Sequence, residues 1–79
     1  MTEPMPEIQA LRSRRMSLRF TGEQVARKAG ISLTYLRELE VGMKTNPTLS
    51  VVTRIREALD RLEQERAEKP GDRQQHSAA

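Results

Sequence analysis

"FTGEQVARKAGISLTYLRELEVG", from Phe20 to Gly42, decides how this chain folds. It opens on a capping box, Thr-x-x-Gln. The Thr21 hydroxyl accepts from the Gln24 backbone N–H, and the Gln24 side chain reaches back to the Thr21 N–H. Phe20 precedes the cap and Val25 lies just past the first turn, spaced for a staple-like contact. The pattern predicts a helix over about 22–29 with Val25, Ala26 and Ala29 on its apolar face. Gly30 follows directly. A residue just past a helix end takes φ > 0, which costs every residue but glycine a Cβ clash. Ile31 then plugs back toward the core, and Ser32 is an N-cap for a second helix over about 33–41. Leu36 and Leu39 face inward there at i, i+3, and Gly42 is a second C-cap candidate. Two short helices across a tight glycine turn form a helix-turn-helix pattern, with Leu33, Thr34, Arg37 and Glu38 on the outer side of the second helix.

On the N-terminal side, residues 1–5 read as a flexible lead with little periodicity. Pro6 suits a first helical turn. Ile8, Leu11, Arg15 and Met16 then mark an amphipathic helix ending near Met16 or Ser17. On the C-terminal side, "MKTNPT" is a loop by its Asn-Pro and polar content, and Thr48 caps a last helix. Leu49, Val52, Ile55, Leu59 and Leu62 form its stripe, and nothing breaks it before Pro70, so it reaches Glu68 or Lys69. Glu57–Arg61 and Arg61–Glu65 are expected as i, i+4 pairs on its outer face. Residues 70–79 read as a disordered tail. The domain therefore spans 6–69, its helix-turn-helix about 21–41, and the class is all-α with no strand signal and no repeat.

The whole chain is 79 residues, enough for one domain with one small core. Its only aromatic residues are Phe20 and Tyr35, so burial must come from Leu, Val, Ile, Met and Ala. There is no cysteine, which excludes disulfides and Cys-type zinc sites and fits an intracellular protein. The single histidine, His76, lies in a polar tail without a second ligand, so no metal or other cofactor is expected. No apolar run approaches a membrane span, and a cytoplasmic, nucleoid-associated location is expected. Residues 1–48 carry eight Lys/Arg against five acids, whereas 49–79 carry six of each. The excess positive charge thus lies in the first part of the chain, a modest footprint for nucleic acid.

The stretch from Leu11 to Leu59 resembles the Cro/C1-type helix-turn-helix family, the Xre family. "FTGEQVARKAGIS" stands where the family has an aliphatic residue, a Ser or Thr cap, and a helix ending in Ala, Gly and a Ser-capped turn. "YLRELEVG" is similar to the end of its recognition helix, and "NPTL" to its usual opening of helix 4. The resemblance implies a compact four- to five-helix, lambda-repressor-like DNA-binding domain with a long C-terminal helix. Its partner would be double-stranded DNA, read in the major groove by helix 3.

By position, the resemblance implies base reading by Leu33, Thr34 and Glu38, with Arg37 beside them reaching a base or a phosphate. It implies phosphate contacts at Thr21 and Gly22, where a helix N-terminus points at the backbone, and at Lys44, Thr45 and Asn46 in the following loop. Arg15 and Glu40 correspond to a recurrent ion pair that holds helix 3 at its angle. Two departures stand out. Gly22 replaces the glutamine that the family usually has just after the helix 2 cap. Leu33 is apolar at a reading position, and either packs on a thymine methyl or meets a protein.

Other side chains keep two readings. Tyr35 donates its hydroxyl to a phosphate or covers the edge of the core. Glu38 accepts from a cytosine amino group, orients Arg37, or is merely solvated. Arg12, Arg14, Arg19 and Lys28 are expected in solvent, with one of the arginines touching a phosphate. Ile55, Leu59 and Leu62 on the last helix are expected to form a homodimer contact, which would double the DNA half-sites.

Two functions follow. One is a sequence-specific transcriptional regulator, a repressor or an activator, acting as a dimer on a pseudo-palindromic operator. The other is a protein-interaction module on the same fold, an antitoxin-like partner or a cofactor of the transcription machinery. An enzyme is excluded by the lack of cysteine, paired histidines, a Gly-rich phosphate loop and room for a pocket. For the same reason no small-molecule ligand is expected.

Overall fold

A computed structural model describes residues 5–44 and 47–68. The described residues form four α-helices: α1 (Pro6–Leu18), α2 (Gly22–Ala29), α3 (Leu33–Glu40) and α4 (Leu49–Glu68). Residues 1–4 of the expected flexible lead and the expected tail 70–79, with His76, lie outside the described residues, as does Lys69, whereas Met5 is the cap residue of α1 and packs half-buried against the core.

Each boundary has a local cause. Pro6 occupies the first turn of α1, where its missing N–H costs nothing. That helix runs one or two residues past its expected end. It stops at Arg19, which takes φ 64° in the left-handed region. The Phe20 N–H returns to the Arg15 carbonyl at 3.1 Å, which closes the helix without a glycine. This end carries neither Gly nor Pro, so its position is not marked in the sequence. In α2 both arms of the capping box are present. The Gln24 N–H donates to Thr21 Oγ1 at 3.0 Å, and the Thr21 N–H donates to Gln24 Oε1 at 2.8 Å. Gly30 ends α2 at φ 75°, as its position demands. Ser32 Oγ accepts from the Tyr35 N–H at 3.0 Å and starts α3. At the far end Val41, not Gly42, is the cap residue, and Gly42 follows at φ 86°, two positions beyond the last helical residue. Thr48 Oγ1 accepts from the Val51 N–H and starts α4.

The core is built from all four helices. Ile8, Val25, Leu36, Leu39 and Leu59 are its large, fully buried side chains, and Phe20, Ala26, Ala29, Val52, Ile55 and Ala58 complete it. α4 lies along α2 and α1, and α3 packs on α2 and α1. The tight α2–α3 turn and the packing of Leu36 and Leu39 hold α3 against this base, with its opposite side in solvent.

Several expectations about the stripes change. Met16 faces solvent, because the buried side of α1 centres on Ile8 with Leu11 half-buried beside it. Leu49 is 78% exposed, since the buried stripe of α4 begins one turn later at Val52. Ile55 and Leu59 are buried inside the chain, not open to a dimer contact: α1 and α2 pack on α4, and Leu59 has no exposed surface. Of that trio only Leu62 keeps a partly open side chain. Among the described residues Glu57 and Arg61 form no ion pair, and Glu65 turns to Lys28 instead, at 2.8 Å.

Candidate nucleic-acid interface

The outer side of α3 follows from its inner side. Burying Leu36 and Leu39 leaves positions 34, 37 and 38 on the opposite face and position 33 on its flank, by the 3.6-residue period. Thr34 and Arg37 are exposed and, among the described residues, neither side chain has a partner. Glu38 is partly covered, with its Oε1 4.0 Å from the Lys44 Nζ. The loop that brings Lys44 there is pinned by the Met43 and Lys44 N–H groups, which both donate to the Glu38 carbonyl.

Leu33 differs from its neighbours. It is half-buried and packed against the core. A Cβ placed on Gly22 would sit 3.3 Å from Leu33 Cδ1, so the first residues of α2 and α3 touch across the turn. Tyr35 is likewise half-buried against the core, consistent with its covering role.

The N-terminus of α2 stands beside Leu33. Its capping box uses the N–H groups of Thr21 and Gln24. The N–H groups of Gly22 and Glu23 are the open donors of that first turn. The Thr21 hydroxyl accepts the capping bond from the Gln24 N–H and donates to Gln24 Oε1 at 3.4 Å, a long and exposed contact beside the backbone N–H groups of the first turn. Thr45 and Asn46, the expected loop contacts, lie outside the described residues.

Behind this surface, Arg15 and Glu40 meet in a two-bond pair, with Nε and Nη2 donating to the two carboxylate oxygens at 2.9 and 2.8 Å. Their side chains are only 16% and 10% exposed. Arg15 Nη1 also donates to the Phe20 carbonyl at 3.0 Å. One guanidinium therefore ties the end of α3 to the turn that leads into α2. Arg12 Nε stands 4.0 Å from Glu40, a second cation on the same carboxylate.

Sequence reasoning missed the ties to the last turns of α4. Arg66 donates to the Leu18 carbonyl at 2.7 Å, and its guanidinium lies 4.4 Å from the Phe20 ring centroid. Arg14, expected in solvent, bridges Asp60 and Glu63 at 2.7 and 2.8 Å, and these hydrogen bonds, Glu63's the larger, raise its pKa above the ordinary arginine value. Lys28, also expected in solvent, pairs with Glu65. These partners are 37–49 residues apart in sequence, so no local spacing signals them.

The described residues contain no cluster of His, Cys, Asp and Glu able to hold a metal, and no helix among them is long and apolar enough to cross a membrane. Comparison with curated proteins and with solved structures gave no match. Residues 11–65 match the helix-turn-helix family model, which covers all of α2 and α3 and most of α1 and α4. With its capped α2, glycine turn and outward α3, the chain belongs to the Cro/C1-type helix-turn-helix family of DNA-binding domains, the Xre family.

Proposed function

We propose that this chain is a sequence-specific transcriptional regulator of the cytoplasm and nucleoid, a repressor that binds its operator as a homodimer. The observation that carries the reading is the outer face of α3, where Thr34 and Arg37 stand exposed, without a side-chain partner among the described residues, over a buried Leu36–Leu39 base. In this reading α3 enters the major groove. Thr34, Arg37 and Glu38 meet base edges, and Leu33 lies at the start of the row. The open Gly22 and Glu23 N–H groups approach one phosphate, and Lys44 another, with Thr45 and Asn46 beside it. The Tyr35 hydroxyl lies at the flank of the same helix. Leu62, the one member of the α4 trio with open surface, is the residue we assign to a second copy.

Fluorescence anisotropy against a pool of random duplexes, across a salt series, tests this. Selective retention of one pseudo-palindromic site supports it. Failure to hold any duplex at low salt overturns it.

A second reading, a protein-interaction module, draws on Val41, Met43 and Leu49. These are large apolar side chains left in solvent around the α3–α4 connection. A pull-down with wild type and Met43→Ser separates the two. Loss of a protein partner with DNA binding intact favours the module.

A further inference from the structure

Gly22 occupies the first position of α2 with an ordinary helical φ, so its backbone does not call for glycine. Its surroundings do. A Cβ there would meet Leu33 Cδ1 at 3.3 Å and Leu36 Cδ2 at 3.8 Å. The first contact is tighter than ordinary packing, and Leu36 behind it is sealed in the core. Leu33 Cδ1 therefore lies against the start of α2, in space that a side chain at residue 22 would crowd by a few tenths of an ångström. Leu33 is half-buried, next in the chain to exposed Thr34 and one turn before exposed Arg37.

We infer that Gly22 and Leu33 act as one specificity-determining unit, in which Gly22 fixes the seat of Leu33 and Leu33 offers a set apolar surface to the C5-methyl of a thymine. The chemistry of the groove selects that partner. The purine N7, O6 and N6 groups and the cytosine N4 amine all lose water against an apolar side chain and gain no hydrogen bond from it. The thymine methyl alone gains from the contact. A side chain already held by its neighbours also loses little rotamer freedom on docking. Gly22 is a positioning residue here, since it touches no base edge.

The inference rests on the DNA reading above, and the experiment separates the two. The duplex selected from a random pool is remade with each dT replaced in turn by dU, which removes only the methyl. Wild type, Leu33→Ala and Gly22→Ala are then titrated against the set, with thermal unfolding of each variant alongside. Wild type should lose about three- to fivefold in affinity at one dU position per half-site, the worth of one buried methyl. Leu33→Ala should lose the discrimination at that position while keeping its salt slope. Gly22→Ala, which unseats Leu33, should cut the discrimination by half or more. Indifference of wild type to dU everywhere overturns the inference and leaves DNA binding standing. So does a full dU penalty in Leu33→Ala, or in folded Gly22→Ala. If Gly22→Ala does not fold, Leu33→Ala still decides. If wild type holds no duplex at all, the DNA reading fails and this inference with it.

Discussion

Single residues differ most in how much of their interaction is shielded from water. Glu40 is 10% exposed and accepts two hydrogen bonds from Arg15, which in turn holds the Phe20 carbonyl. Removing one partner of so covered a pair leaves the other charge stranded, and Glu40→Ala should cost about 2–3 kcal/mol in thermal or urea unfolding. The Glu23–Arg27 pair is the control. It lies in open solvent at 3.4 Å, so Glu23→Ala should change stability by less than about 0.5 kcal/mol. If the two variants cost the same, the covered pair has no special role. Thr21→Val tests a third kind of contact. It removes the hydroxyl that accepts from Gln24, and should cost about 1 kcal/mol, or roughly 4–8 °C in Tm for a domain of this size. These caps were legible in the sequence because partner and acceptor lie three residues apart. The Arg15–Glu40 pair, 25 residues apart, was legible only through the family resemblance.

Among the helices, α4 joins two different modes of attachment. Its first part is held by apolar burial of Val52, Ile55, Ala58 and Leu59. Its last turns are held by arginine and lysine contacts to α1 and α2: Arg14 to Asp60 and Glu63, Lys28 to Glu65, and Arg66 to the Leu18 carbonyl and the Phe20 ring. The apolar stripe was readable as periodicity, but periodicity does not say what covers it. A stripe of this length fits both a core and a dimer seam, and the difference lies in how α1 and α2 sit over it. The two possibilities predict different behaviour for Leu59→Ala. Burial inside one chain predicts a loss of about 2–5 kcal/mol that does not vary with protein concentration. A dimer seam predicts a midpoint that rises with concentration. Denaturation of wild type and Leu59→Ala at two concentrations a hundredfold apart decides between them, and we expect the same loss relative to wild type at both. The charged end of α4 gives a further expectation. Arg66→Met removes both the carbonyl hydrogen bond and the contact with Phe20, and should lower stability by about 1–2 kcal/mol. Hydrogen exchange should then accelerate first at the α1–α2 turn, and unchanged protection of Phe20 would argue against the tie.

For the molecule as a whole, the distribution of committed and open cations sets how it meets DNA. Much of the positive charge is turned inward: Arg14, Arg15, Lys28 and Arg66 are each bound to groups of the protein itself. A net charge of +3 therefore says little about contacts, since it counts these spent cations with the open ones. Among the described residues, Arg19, Arg37 and Lys44 are exposed cations near α3 and the α2 N-terminus in the chain, and only Lys44 of these has a carboxylate near it, at 4.0 Å. This sorting was not readable beforehand, because each commitment depends on which helices lie together. Counterion release makes the sorting measurable. Each phosphate neutralised contributes about −0.9 to the slope of log K against log salt. Three cations give a slope of about −3 for one protomer, and six give about −5 for a pair on two half-sites. A slope near −5 on a pseudo-palindromic duplex, falling to about −3 on a half-site duplex, is the expected result. Lys44→Ala should make both slopes shallower, by about 2 units on the full site and about 1 on the half-site, because the change is counted once per protomer. Equal slopes on the full and half sites would mean that one copy binds alone, and Leu62 would then have no second copy to meet.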